Sequence, residues 1–219
     1  MNERVDRAVE HNRQAHDALG ARYDERHPEI FNDTEQRRLR GTVARAVGLA
    51  RATGRGSVRA LDVGCGTGNL TGHLIAAGAT VTAADLSTKF FDVVRQRFPA
   101  GVDGVLPLNG RDLRPAEDGA FDLVVTYSVL HHVPDYVALV REMARVTVPG
   151  GIVMIDHERS DESWTSDRYA AFLREAVVWP PRRWWYGLQP SRYWKHLRPM
   201  LECCADNGGE CRRGGTIGL

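Results

Sequence analysis

The sequence predicts an α/β protein whose doubly wound, mostly parallel sheet carries helices on both faces. Two observations support this. Short apolar runs at 58–63, 79–84, 105–108, 121–127 and 151–155 alternate with helix-length stretches at 70–77, 87–98 and 135–146. That is the pattern of strands joined by crossover helices. The first run leads into three glycines at alternate positions, Gly64, Gly66 and Gly68, and the second ends in an acid, Asp85.

Size and composition agree. A chain of 219 residues suits one large domain, able to bury about 70% of its unfolded surface without disulfides or metals. Its 42% hydrophobic and 26% charged content is that of an ordinary globular protein and excludes disordered and fibrous classes. The 29 basic residues against 28 acidic ones leave a net charge of +1, so no global field draws in nucleic acid or an anionic membrane. The N-terminus, MNERVDRAVEHNRQAHD, is charged and lacks the apolar core of a secretory signal. No apolar run approaches the roughly 20 residues of a membrane helix. Cys65, Cys203, Cys204 and Cys211 form no evenly spaced disulfide framework. The expected setting is the cytoplasm.

Taken in order, residues 3–20 are polar with scattered Val, Ala and Leu and suit one or two surface helices. After the Pro28 break, Asn32 or Asp33 caps a helix whose apolar stripe is Leu39, Val43, Val47 and Leu49. Gly54, Gly56 and Ser57 interrupt the chain, and the buried strand Val58–Val63 then runs into the glycine turn. Glycines there let the backbone turn tightly and let a ligand lie against it, beside the unpaired N–H groups of the following helix. A tight strand-to-helix turn needs glycine for purely structural reasons too, so the turn alone decides little. Asp85 adds weight: in nucleotide-binding α/β folds, an acid ending the second strand accepts hydrogen bonds from ribose hydroxyls. A capping role for Asp85 is weaker, because Ser87 is available to cap the next helix.

The glycine pattern is G-x-G-x-G, with Asn69 where a dinucleotide fingerprint wants its third glycine and Asp62 two residues before the first. With these residues the chain resembles the class I S-adenosylmethionine-dependent methyltransferases. The resemblance continues through Asn109-Gly-Arg-Asp112-Leu113 after the third strand, Phe121–Asp135 as the fourth strand and its loop, and Arg145–Gly151 leading into the fifth. It covers residues 58–157, and more weakly Ala21–Asp24, which is similar to the helix that closes over the cofactor in this family.

The resemblance implies a Rossmann-like, seven-stranded-type sheet and S-adenosylmethionine as cofactor. It places Asp62 near the methionine end, Gly64, Cys65, Gly66 and Gly68 against the cofactor, and Asp85 with Leu86 at the ribose. Asn109, Asp112 and Leu113 fall at the adenine, Ser128 after the fourth strand, and Tyr23 in the covering helix. Asn109 departs from the family pattern, in which aspartate is more frequent. The end of the chain departs as well: Glu210–Leu219 leaves room for one strand of the usual closing hairpin, so either the last strand is missing or the natural protein continues.

Methyl transfer from a sulfonium is an in-line displacement that needs alignment and exclusion of water, with a general base optional. His131 and His132, at the carboxyl edge of the sheet, are candidate bases or pocket-shaping residues. Asp156, His157 and Glu158 are substrate ligands or solvated strand-end residues. Residues 161–200 hold all five tryptophans, and the stretch 181–200 mixes five basic side chains with five aromatics. It suits an acceptor lid using Trp184 and Trp185, an RNA contact by stacking and phosphate neutralisation, or a plain core with a solvated charged face. Cys203, Cys204 and Cys211 lack C-x-x-C spacing and are rejected as a metal site.

The expectation is one domain: a helical cap at 1–55, a cofactor-binding core at 56–158, and an acceptor-side insertion with a last helix and strand at 159–219. It is expected to act on a small-molecule methyl acceptor, with no membrane partner, with nucleic acid disfavoured, and with a homodimer allowed. The alternatives are an RNA-modifying methyltransferase and an idle cofactor-binding protein.

Overall fold

The computed structural model describes residues 2–20, 23–54 and 56–158. Helix α1 (Asn2–Leu19) and the single turn α2 (Tyr23–Arg26) precede α3 (Asp33–Ala50). Then come β1 (Val58–Val63), α4 (Asn69–Ala76), β2 (Ala79–Asp85), α5 (Lys89–Arg97), β3 (Val102–Pro107), β4 (Phe121–Tyr127), α6 (Tyr136–Val146) and β5 (Thr147–Asp156). The five strands pair in parallel in the order β3-β2-β1-β4-β5. The order reverses between β1 and β4, which opens a crevice at their carboxyl ends.

Both faces are covered, so the central strands are apolar throughout. Leu39, Val43 and Val47 of α3 and Leu70 and Leu74 of α4 pack on Val81, Leu123 and Val125 of the sheet. On the opposite face Leu139, Met143 and Val146 of α6 meet Leu61, Val63 and Val124. Phe91 and Val94 of α5 cover Ala83 and Cys65. Among the described residues no helix is long and apolar enough to cross a membrane.

The polar N-terminal stretch, expected as one or two helices, forms one, Asn2–Leu19. Three local expectations are corrected. Asn32 caps α3 as expected, its side chain accepting from the Glu35 amide at 3.0 Å, but Leu49 is 61% exposed. The buried row runs 39, 43, 46, 47, 50, a helical stripe that Ala46 and Ala50 complete and that position 49 misses. Ser87 does not cap α5. Thr88 holds the cap position with no side-chain bond, and the Ser87 hydroxyl donates to Asp17 instead. Strand β3 begins at Val102, which pairs with Val81; Gly104 pairs with Thr82, and Asp103 is the extra residue of the irregularity between them. The segment 159–219, with the expected last helix and strand, lies outside the described residues.

Candidate functional site

The crevice is built from the turn after β1. Gly64 and Cys65 both donate their amides to the Ala84 carbonyl, at 2.8 and 2.9 Å, which clamps the turn against the end of β2. Asp85 completes the clamp: one carboxylate oxygen accepts from the Gly66 amide at 2.9 Å, the other from the Ser87 amide at 2.8 Å. All three glycines have left-handed backbone, with φ of 75°, 49° and 93°, a region costly for residues with a Cβ. Their surroundings differ. A Cβ on Gly64 would collide with Val129, and one on Gly68 would lie 2.7 Å from the Phe98 ring, whereas one on Gly66 would meet nothing within 4 Å. Gly64 and Gly68 are needed for packing, and Gly66 borders open space.

Two buried acids flank that space. Burial pushes the Asp62 carboxyl up to about 7, with Asp85 adding to the rise and a bond from the Thr71 hydroxyl at 2.6 Å opposing it. Burial also raises Asp85, against the two amides that favour its charged form.

The N-terminal helices roof the crevice. Val9, Asn12 and His16, spaced along one face of α1, line it. Asn12 donates to the His132 carbonyl at 2.7 Å, Asp17 accepts from the Ser87 hydroxyl, and Asp24 of α2 accepts from the Thr67 hydroxyl and pairs with Arg97 at 2.8 Å. Tyr23 stacks on His27 at 4.2 Å and turns its edge to Phe31 and Phe90 at 6.5 Å. Burial raises its hydroxyl to about 12. His16 stands edge-to-face with His132, ring centres 5.3 Å apart, and burial lowers its pKa.

The structure brings Tyr23, Asp62, Gly64, Cys65, Gly66, Asp85, Leu86, Asp112, Ser128 and His132 together around one cavity. Ser128 enters it from the end of β4 with a φ of 59°. Others expected there lie elsewhere. Gly68 faces Phe98. The Leu113 side chain is fully buried in the core and its amide donates to Glu142 at 3.1 Å, so that amide is engaged away from the cavity. Asn109 accepts from the amides of Arg111 and Asp112 at 2.8 and 3.0 Å. It shapes the loop that presents Gly110, Arg111 and Asp112 to the cavity, an Asx turn that asparagine makes as well as aspartate.

His131 is turned to Glu158, with its Nδ1 2.9 Å from the carboxylate. The same carboxylate accepts from the amides of Val129, Leu130 and His131 at 2.7, 2.8 and 3.3 Å, capping the 3-10 turn Leu130–His132. His157 stacks on Tyr127, ring centres 4.7 Å apart; Tyr127 lines the cavity and His157 does not. Asp156 is held by the Arg38 guanidinium at 3.0 Å, which also grips the buried Glu35 at 2.6 Å, and Glu35 accepts from the Tyr127 hydroxyl at 2.8 Å. Trp184 and Trp185 lie outside the described residues. The contribution of α1 was missed by the sequence reasoning, and its only signal was the spacing of residues 9, 12 and 16 in an otherwise polar helix.

An open parallel sheet, a glycine turn after β1, an acid ending β2 and a cavity over the strand reversal define a nucleoside-binding α/β domain. Residues 61–155, less than half of the chain, match the family model described as a methyltransferase domain. The chain is similar to a ubiquinone biosynthesis O-methyltransferase of Xanthomonas oryzae pv. oryzae, 39% identical over 98 residues, 42% of this chain and 40% of the relative. A protein of that name from Thiobacillus denitrificans is 41% identical over 98 residues, 43% of this chain and 42% of the relative. A demethylmenaquinone methyltransferase of Staphylococcus aureus is 39% identical over 104 residues, 46% and 43% of the two chains. The chain spans about 40% of the length of the curated relatives it matches.

Proposed function

We propose that this chain transfers the methyl group of S-adenosylmethionine to a small-molecule acceptor. The observation that carries the reading is the open space before Gly66 with the Asp85 carboxylate fixed beside it. That cradle fits the nucleoside: Gly66 leaves room for it, and each Asp85 oxygen keeps a lone pair beyond the one its amide uses. Asp85 would take the ribose hydroxyls, and Leu86, Leu108 and the Gly110–Asp112 loop would flank the base. Asp62, Gly64 and Ser128 border the course of the amino-acid end.

When bound, the donor supplies a methyl group already activated on a sulfonium. The chain's own part is alignment and dryness. Tyr23, Phe31 and Phe90 roof the cavity with apolar rings. We assign His132 to the acceptor side, as a base or as wall, and give His131 the task of holding the loop through Glu158. Trp184 and Trp185 stay assigned to the acceptor wall. The names of the relatives, which concern ubiquinone biosynthesis and demethylmenaquinone, favour a small-molecule acceptor over RNA. The division into cap, donor-binding core and acceptor-side segment belongs to this proposal, as do the cytoplasmic setting and an optional homodimer.

Calorimetric titration with S-adenosylmethionine and S-adenosylhomocysteine tests the donor. Saturable binding of both supports the reading, and no binding of either refutes it. Methyl transfer from labelled donor into a metabolite extract is then expected. Label entering RNA alone would establish the RNA-modifying alternative, and binding without transfer to either pool would mark an idle cofactor-binding protein.

A further inference from the structure

The strand order sets the direction in which a nucleoside donor must lie. With ribose at the end of β2 and base beside the Leu108–Asp112 loop, the tail runs across the end of β1 toward β4. Asn69 stands on that side. It opens α4 directly after the glycine turn and is among the residues that line the cavity.

Its amide is oriented from behind by α3. Gln36 Nε2 donates to the Asn69 Oδ1 at 3.0 Å and to the Ile30 carbonyl at 3.1 Å, while Gln36 Oε1 lies 2.9 Å from His73 Nε2. A carbonyl accepts only, so the contact with Ile30 identifies the nitrogen end of Gln36, and Gln36 in turn identifies the oxygen end of Asn69. Asn69 Nδ2 therefore points away from α3. That nitrogen is buried and has no hydrogen-bond partner among the described residues.

Buried amide donors without an acceptor are rare, because each has given up its water for nothing. The nearby acids accept from other donors, Asp62 from the Thr71 hydroxyl and Asp85 from the amides of Gly66 and Ser87, and neither accepts from Asn69. A cavity occupant can supply the acceptor that the described residues do not. The α4 N-terminus, with its partial positive charge, favours an anionic one.

We propose that Asn69 Nδ2 donates to the carboxylate of the methyl donor's amino-acid tail, with Gln36 as its positioning residue. The assignment rests on the methyl-donor reading of the cavity.

Two probes separate tail from nucleoside: S-adenosylhomocysteine, and 5′-methylthioadenosine, which keeps the nucleoside and thioether but lacks the amino-acid group. Asn69→Leu removes the donor at similar volume. Asn69→Asp keeps an acceptor for Gln36 and sets a charge against the carboxylate. Calorimetry should show S-adenosylhomocysteine affinity falling about ten- to a hundredfold in both variants, with Asn69→Asp the weaker binder. Methylthioadenosine affinity should stay within about twofold, since it makes no tail contact. Gln36→Leu, which frees the Asn69 amide to rotate, should lose less on S-adenosylhomocysteine and nothing on methylthioadenosine. Should Asn69→Leu fail to fold, Asn69→Asp decides, with a melting curve certifying each protein. Equal losses on both ligands, or no loss on S-adenosylhomocysteine, overturn the assignment and leave the donor reading standing, because the wild type still binds. A wild type that binds neither ligand overturns both.

Discussion

Replacing Gly66 by valine should cost the protein its ligand and little of its fold. The residue has a φ of 49°, and a Cβ there meets nothing within 4 Å. The stability penalty is therefore that of left-handed backbone, about 1–2 kcal/mol. At about 2–4 °C per kcal/mol for a chain of this size, the midpoint should fall by about 2–8 °C. Gly68→Val is the control. Its φ of 93° carries a similar penalty, but its Cβ would sit 2.7 Å from the Phe98 ring and 3.3 Å from Val94. Overpacking adds about 1–3 kcal/mol, so the fall should be roughly twice as large. Melting curves and S-adenosylhomocysteine titrations on both variants read the two effects separately. Wild-type affinity in Gly66→Val would refute the reasoning, as would a larger loss of stability in Gly66→Val than in Gly68→Val.

Asp85→Ala should weaken S-adenosylhomocysteine binding by about 1.5–3 kcal/mol, the loss of a charge-assisted contact. It should also lower the midpoint, since the Gly66 and Ser87 amides lose their acceptor; an unchanged dissociation constant would rule the ribose role out. Asp62 has a folded pKa of about 7 against its ordinary 3.8. Its protonated form thus favours the fold at low pH, and that contribution is lost as pH climbs through about 7. Asp62→Asn should accordingly gain in midpoint over the wild type between about pH 4 and about pH 7, and parallel curves for the two proteins would contradict this. Glu158→Ala strips the acceptor from three successive amides of the Val129–His131 turn. The cost should be about 1–2 kcal/mol in urea unfolding, the worth of a lost cap; a midpoint unmoved in urea would mean the turn stands without it.

The core of this fold was legible because the sheet is buried on both faces, which forces continuous apolar strands such as Leu123–Val125 that no other element imitates at that length. The glycine turn and Asp85 were legible for a related reason: close backbone approach permits few residue types. Side-chain assignments fared unevenly where several residues of one type serve different partners. Gly66 and Gly68 read alike in the sequence, yet only the position of Phe98, thirty residues on, separates them. His131 and His132 are neighbours, and Glu158 from the end of β5 decides which one turns inward. Asn109 looked like a loss of charge and proves to be a loop former. Asn69 looked like a missing glycine, and its orphaned amide depends on Gln36, which sequence patterns do not connect to it. The roof over the cavity was hardest to see, because a polar helix that contributes three residues to a cavity leaves almost no hydrophobic signature.

That roof also bears on how the molecule comes into being. Its fastenings span long stretches of chain: Asn12 waits for a carbonyl 120 residues later, Asp17 for a hydroxyl 70 later, and Asp24 for one 43 later. Contacts so remote in sequence bear the largest loop-closure entropy and form after local ones. The residues of α1 and α2 are thus among the last to find their places. Polar fastenings with little apolar burial also make a weak cooperative unit, so amides of α1 should exchange with solvent hydrogen well before those of α3, whose buried stripe is part of the core. A nascent or refolding chain acquires its sheet first and its enclosed cavity only at the end.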